Sequence, residues 1–294
     1  MSPRRIGVVC SRVRMEEKLL LEAFARHPEV EVVRVDDDQF QAPLAGPGQG
    51  SGQVAALRRC DVVLLRCLSY ARQVTLARLL EAWGVATVNR AAVLETCGDK
   101  LRTTLALAAA GIPTPPARVA FTVEAGLEAV EALGYPCVVK PVTGSWGRLI
   151  ARLNDRDSAE AVLEHKLLLG GALHRVIYLQ AHVDKPGRDL RAFVVGDRTV
   201  AVIGRRSPHW VTNTARGAVA EAVEVTSELD DLCRRTSAAV GGGTLAVDLL
   251  EGRDGLLVNE VNATMEFRNS VGPTGVDIPG LLVAHALDLA AASI

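Results

Sequence analysis

Cysteine pairs at metal-ligand spacing are missing from this 294-residue chain: Cys10, Cys60, Cys67, Cys97, Cys137 and Cys233 form no C-x-x-C and no zinc-ligand pattern. Several lie inside apolar runs, so the expected state is a free buried thiol in a reducing cytoplasm, not a disulfide or a metal site. An excess of charge of either sign is missing too. Net charge is −1, so no basic surface advertises nucleic acid, although pairs such as Arg205-Arg206 remain candidate ligand sites. No apolar run approaches the roughly 20 residues of a membrane span. The run behind the basic start Met1-Ser2-Pro3-Arg4-Arg5 covers only residues 6–10, too short for a signal-peptide core. The first strand-to-helix junction, Cys10-Ser11-Arg12-Val13-Arg14, lacks G-x-G-x-x-G, which argues against a dinucleotide-binding dehydrogenase. No Ser/His/Asp or Cys/His constellation for nucleophilic catalysis is evident.

What is present is an ordinary globular balance, 49% hydrophobic and 23% charged, in a chain long enough for two or three compact units. Residues 6–10, 30–35, 61–66 and 85–88 read as short buried strands, and residues 15–26 and 70–83 as helices at 3.6-residue spacing. That alternation implies a small parallel sheet with helices packed on it. Asp36-Asp37-Asp38 reads as a solvated strand end, and the Gly/Pro-rich residues 43–52 as a surface loop. Residues 89–111 read as one helix with a glycine stop, followed by a rigid break at residues 113–116. Beyond it come a strand at 118–121, a helix capped by Thr122 and running to 133, and a second helix at 157–169. Strands then dominate: 176–180, 190–195 and 200–203, the last two joined by the hairpin signal Gly196-Asp197. Helices at 228–240 and 278–291 close the chain.

Two stretches carry candidate chemistry. In Cys137-Val138-Val139-Lys140-Pro141-Val142-Thr143-Gly144-Ser145-Trp146-Gly147-Arg148, an apolar run delivers one lysine to its end, and the small-residue loop behind it lets backbone N–H groups approach an anion. A nucleotide phosphate suits that arrangement; a strand, a proline stop and a plain turn is the competing explanation. Far downstream, Ala246-Val247-Asp248-Leu249-Leu250 and Leu256-Leu257-Val258-Asn259-Glu260-Val261-Asn262 read as a hairpin. With Leu250 paired to Leu256 across a turn at 251–255, Asp248 would face Val258, and Asp248, Glu260 and Asn262 would share a face. Three oxygen ligands there suit a hard cation such as Mg2+, completed by phosphate oxygens; the alternative is a pair of carboxylates facing solvent on an outer strand. Lys100 opens a helix after Gly98-Asp99, where a lone lysine is ordinarily solvated surface.

These stretches resemble the ATP-grasp superfamily. Gly144-Ser145-Trp146-Gly147-Arg148, Lys185-Pro186-Gly187-Arg188-Asp189-Leu190-Arg191, Thr212-Asn213-Thr214-Ala215-Arg216-Gly217 and Asn259-Glu260-Val261-Asn262-Ala263-Thr264-Met265-Glu266-Phe267 are similar to the LysX-type ligases within it, which are related to RimK. The resemblance covers nearly the whole chain. It implies an α/β and α+β protein of ATP-grasp fold, with an N-terminal parallel-sheet (pre-ATP-grasp) domain at 1–90. Two α+β subdomains, 91–180 and 181–294, would bind the nucleotide between them. It implies ATP and two Mg2+ ions as cofactors, the metal on Asp248, Glu260 and Asn262. The nucleotide would be held by Lys100, Lys140, the loop Gly144, Ser145, Trp146 and Gly147, the linker Gln180, Ala181, His182 and Val183, and Asp189. At the linker this chain departs from the family's Gln-Glu-Tyr-Val, which puts a side-chain contact from Ala181 in doubt; His182 reads as packing under the nucleotide more readily than as a base. Arg191, Arg205 and Arg206 are implied at the transferred phosphate, and Asn213, Arg216, Thr264 and Phe267 at the amino-acid substrate, with Glu266 structural. The implied reaction joins the side-chain carboxylate of a C-terminal glutamate, on a small acidic amino-group carrier protein, to the α-amino group of α-aminoadipate or a related amino acid. The expected setting is cytoplasmic, without membrane or nucleic-acid partners, and homo-oligomeric. A RimK-like ligase adding glutamate to a protein or peptide terminus, and a non-catalytic nucleotide-binding protein that retains the fold, are the alternatives.

Overall fold

The structure is a computed structural model that describes residues 3–44, 52–144, 148–212 and 217–292, without the side chains of 172 and 173. In its first part, β1 (Arg4–Cys10), α1 (Met15–Phe24), β2 (Val30–Asp36), α2 (Gly52–Leu57), β3 (Val62–Arg66), α3 (Tyr70–Ala82) and β4 (Ala86–Val88) alternate. They form a four-stranded parallel sheet in the order β2-β1-β3-β4. The two central strands are continuous apolar runs because helices cover both faces of the sheet. Ile6, Val8, Val62 and Leu64 face a core shared with Leu20 and Phe24. Val9, Val63 and Leu65 face the opposite core, with Leu76, Ala77 and Leu80. Of the aspartates at 36–38, Asp37 departs from the expected solvated strand end, while Asp38 is exposed. Asp37 is buried and ion-paired with Arg72 at 3.3 Å, Asp38 pairs with the same guanidinium, and Asp36 accepts from the Asp38 N–H at 3.0 Å to cap a 3-10 turn. A long side chain from α3, beyond the reach of local spacing, supplies the compensation.

The expected single helix over 89–111 is two, α4 (Ala91–Cys97) and α5 (Lys100–Ala109). Asp99 causes the break. Its backbone is extended, and its Oδ1 accepts from the N–H groups of Leu101 and Arg102 at 2.9 and 3.1 Å, an N-cap that starts a new helix with Lys100 as its first residue. Gly98 precedes it because a Cβ there would stand 1.9 Å from the Tyr70 ring.

The second sheet contains β5 (Ala117–Ala120), α6 (Val123–Leu133), β6 (Cys137–Lys140), β7 (Ala151–Leu153), α7 (Arg156–Leu169) and β8 (Ile177–Ala181). Its strands run antiparallel in the order β5-β8-β6-β7, with α6 and α7 packed on one face through Leu127, Val130, Ala159 and Leu163. Thr122 caps α6 as expected, accepting from Ala125 N–H at 3.2 Å. The third sheet is built from β9 (Arg188–Val195), β10 (Arg198–Arg206), β11 (Val219–Val223), α8 (Ser227–Val240), β12 (Thr244–Gly252) and β13 (Gly255–Asn262), and is followed by α9 (Arg268–Thr274) and α10 (Ile278–Ala292). Its order is β11-β10-β9-β12-β13. The Gly196-Asp197 hairpin forms, with Val195 opposite Arg198 and Gly196 at φ 63°. The last helix returns to the first sheet: Leu282, Val283 and Ala286 of α10 share a core with Ile6, Phe24 and Phe193. This seam locks the first and third sheets around the cleft described next. No single helix among the described residues is long and apolar enough to cross a membrane. The six cysteines are buried free thiols, and burial pushes the Cys97 thiol up to about 12.

Candidate active site

A cleft of about 290 Å3 opens where the three sheets meet. Lys100, Lys140, Gly144, the linker 180–183, Asp189, Arg191, Arg205, Asp248, Glu260, Asn262 and Thr264 all line it. Ser145, Trp146, Gly147, Asn213 and Arg216 lie outside the described residues.

Lys140 ends β6 only 7% exposed, and its Nζ donates to Gln180 Oε1 at 2.5 Å and Asn259 Oδ1 at 3.0 Å. Neutral amide oxygens hold this ammonium, and among the described residues no carboxylate bonds to it directly. Burial therefore pushes it down to about 8, with nearby Lys100 in the same direction and Glu260 opposing. A cation left short of negative charge in a cleft is complementary to phosphate. Lys100 is not solvated surface either. Its backbone N–H donates to Val142 O at 2.8 Å, and its Nζ donates to Gly144 O at 3.0 Å and lies 3.5 Å from Glu260. Lys185, which is not among the expected site residues, is a third cation in the cleft and is partly buried. It donates to Thr212 Oγ1 at 2.7 Å, and burial lowers its pKa while Asp189 opposes that shift.

Opposite the lysines, side chains form a row across three adjacent strands. Arg191 on β9 pairs in register with Asp248 on β12, and Asp248 with Glu260 on β13. This corrects the expected hairpin register. Leu250 pairs with Leu257, the turn is the two residues between Gly252 and Gly255, and a bulge at Asp248/Leu249 takes up Asn259, so that Asp248 meets Glu260 and not Val258. The bulge keeps Glu260 on the cleft face and sends Asn259 to Lys140. Arg191 grips Asp248 bidentately at 2.7 and 2.8 Å; Arg205 grips Asp189 at the same distances and reaches Asp248 at 3.3 Å. Burial alone would raise the Asp248 carboxyl, but the two guanidiniums hold it well below the usual carboxylate range.

The donor set suits magnesium, which takes one or two carboxylates and completes its shell with water and phosphate oxygens. Asp248 and Glu260 supply the carboxylates. Asn262 lines the same cleft; its buried Nδ2 has no hydrogen-bond partner and, as a donor, suits an acceptor such as a phosphate or water oxygen, whereas only its Oδ1 could face a cation. Among the described residues no group of three or more His, Cys, Asp and Glu is placed to hold a metal ion.

Residues 97–286 match the RimK-like ATP-grasp domain, and residues 6–96 match the LysX preATP-grasp domain. The chain belongs to the RimK-type ATP-grasp ligases. It is 34% identical over 282 residues to the alpha-aminoadipate–LysW ligase LysX of Sulfurisphaera tokodaii, covering 95% of this chain and 96% of that one. The glutamate–LysW ligase ArgX of the same organism is 31% identical over 285 residues, 96% of this chain and 97% of ArgX. The crystal structure of a RimK-domain ATP-grasp protein from Sphaerobacter thermophilus superposes with a TM-score of 0.80 at 32% identity, covering 96% of this chain and 99% of that one. Ligases of this family use ATP and Mg2+.

Within this ATP-grasp ligase two expected site residues fall elsewhere. Arg206 follows Arg205 on β10, and strand alternation turns it to the outer face, where it is half exposed and donates to Glu221 at 3.2 Å. Phe267 is fully buried in the core beneath the cleft, 5.8 Å from the Arg66 guanidinium, and supports the wall without forming it. Glu266, expected as structural, lines the cavity instead. His182 lies 6.2 Å from the Trp210 ring; burial lowers its pKa, with nearby Arg152 adding to the shift, which favours a neutral packing ring. Arg14, Tyr70, Gln73, Asn259 and Trp210 also line the cleft unforeseen. Their positions depend on how loops of the first sheet and the β10 end meet the third sheet, and no local spacing carries that signal.

Proposed function

We propose that this ligase joins the α-amino group of an acidic amino acid, α-aminoadipate or glutamate, to the side-chain carboxylate of a C-terminal glutamate on a small acidic carrier protein. The observation that carries the chemistry is the Arg191–Asp248–Glu260 row facing Lys100 and Lys140 across one cleft. The carrier and amino acid rest on similarity, over 95–96% of the chain, to relatives named for LysW. In the first step a carboxylate oxygen of the carrier attacks the γ-phosphorus, the bond to the bridging oxygen breaks, and ADP leaves. In the second, the neutral amine attacks the acyl carbon, the bond to the phosphate oxygen breaks, and phosphate departs as the nitrogen loses a proton.

Lys100 and Lys140 hold phosphate oxygens, and Arg205 with Arg191 stabilises charge on the transferring group, so catalysis is positioning and electrostatics without a protein nucleophile. Asp248, Glu260 and Asn262 would hold magnesium, as two ions. When bound, the metal neutralises charge on the phosphate oxygens. Gly144 with Ser145, Trp146 and Gly147 covers the phosphates, the linker 180–183 takes the adenine, and Asn213 and Arg216 read the distal end of the amino acid. In this reading residues 1–90, 91–180 and 181–294 act as the three units around the cleft. The deciding experiment is ADP release from ATP by the purified chain with an acidic carrier ending in glutamate and a panel of amino acids and acceptors. Turnover that requires carrier and acidic amino acid together supports the reading; turnover with a bare peptide and glutamate alone replaces it with terminal glutamylation.

A further inference from the structure

The wall contributed by the first domain holds a second ion pair that the phosphate end does not use. Arg14, between β1 and α1, donates through Nη1 to Glu266 Oε1 at 2.9 Å, and both side chains line the cleft. Arg14 is fastened from behind. Its backbone N–H and Nε donate to Glu17 Oε2 at 3.0 and 3.1 Å, and Nη2 donates to Oε1 at 3.2 Å. Glu17 is fully buried and also accepts from Arg66 at 3.0 Å, so its negative charge is shared between two guanidiniums. The Arg14 and Glu266 side chains remain 26% and 35% exposed, so the pair is accessible from the cavity. Beside them, Thr264 Oγ1 accepts from Gln73 Nε2 at 2.6 Å, which leaves its own proton free to donate to a guest. Glu266 also borders a small cavity of about 30 Å3 together with Arg191 and Arg205. It therefore stands between Arg14 and the arginines of the phosphate end.

We infer that Arg14, Thr264 and Glu266 form the receptor for the α-end of the amino-acid substrate. Arg14 and the Thr264 hydroxyl donate to the α-carboxylate, and Glu266 accepts from the α-amino group. A held cation and anion in contact complement a molecule whose carboxylate and amine sit on one carbon, and both contacts are charge-assisted. A lone carboxylate, such as the reacting group of the carrier, would meet the like charge of Glu266 and is disfavoured at this place. Because Glu266 adjoins the arginines, an amine held there points to where the acyl phosphate forms. The inference rests on the ligase reading above and concerns the opposite end of the amino acid from Arg216.

The test separates the two half-reactions. With ATP, Mg2+ and carrier but no amino acid, hydroxylamine traps the acyl phosphate as a hydroxamate. Glu266→Gln and Arg14→Lys should retain hydroxamate formation and the KM for ATP within about twofold. Both should raise the KM for aminoadipate at least tenfold and leave the preference between aminoadipate and glutamate unchanged, because the two share the α-end. Glu266→Gln changes a partly exposed side chain, so it reports even where Arg14→Lys disturbs the buried Glu17. A KM for aminoadipate within twofold of the parent in both variants overturns the inference, as does an equal loss of hydroxamate and amide. If the parent enzyme forms no hydroxamate with any carrier, the ligase reading falls and takes this inference with it.

Discussion

Asp248 and Glu260 face each other across two strands, yet burial assigns them opposite consequences on mutation. Glu260 is a quarter exposed with one loose partner, Lys100 at 3.5 Å, so Glu260→Gln should abolish ligation while changing unfolding free energy by less than about 0.5 kcal/mol. Near-normal turnover at saturating Mg2+ would remove the row from metal binding. Asp248→Asn should cost about 3 kcal/mol in a urea melt, because it takes the bidentate anion from the partly buried Arg191 and one of two anions from the buried Arg205, which keeps Asp189. Lys140 provides a pH signature. Its ammonium, at about 8 in the free enzyme, is the phosphate-binding form, so kcat/KM for ATP should fall about tenfold per unit above that pH while kcat stays flatter. The stability effect has the opposite sign. The folded-state pKa lies below the unfolded one, so burying the protonated lysine opposes folding in full below about pH 8, and that penalty is relieved as pH rises toward the unfolded value. The stability difference between Lys140→Met and the parent should therefore shift in the parent's favour between pH 7 and pH 10; a difference independent of pH would show that Lys140 is not desolvated. Lys140, Asp248 and Glu260 were legible in the chain because a charged residue inside an apolar strand must have a partner. The place of Arg206 is set by strand alternation, which turns neighbours in sequence to opposite faces, and that of Phe267 by burial, which an aromatic beside a motif does not reveal.

At the scale of elements, the turn 98–99 governs the phosphate end. Asp99 caps α5, and its backbone bridges to Thr143, while the Lys100 N–H donates to Val142 O, so the cap ties helix and phosphate loop together. Asp99→Ala should lower stability by about 1 kcal/mol and raise the KM for ATP, whereas Asp99→Asn, an equally good cap, should restore both. Thermal melts and initial rates check the pair; a raised KM in the Asn variant as well would mean that the charge matters and the cap does not. Long periodic segments such as α3, α6 and α8 were readable from sequence, as were strands closed by Gly-Asp. The break between α4 and α5 leaves no mark in the apolar spacing, which continues across it. The bulge at Asp248 had no local mark at all, since only the partner strand shows which residue is extra.

At the scale of the whole molecule, recognition of a carrier is a surface property. An acidic partner would be drawn to cations around the cleft mouth although the net charge is only −1. Raising salt from 50 to about 300 mM should increase the KM for carrier several-fold more than the KM for ATP, because long-range attraction is screened and buried contacts are not. A peptide copying only the carrier tail should turn over poorly, since it lacks the remote contacts that hold the reacting carboxylate. If the tail peptide matches the whole carrier and salt acts on neither, recognition stops at the terminal residue.

Sequence by itself determined the parallel first sheet, the strand-rich second half and the polar residues that must find partners there. Those follow from short-range rules: alternation, apolar period, caps, and the cost of burying charge. Tertiary structure decided which polar residues meet. Arg14 and Glu266 are 252 residues apart and are joined because α10 clamps the third sheet to the first, so that the β1–α1 loop stands over the end of β13. Such a contact depends on the packing of three separate sheets, and no single stretch of chain contains it.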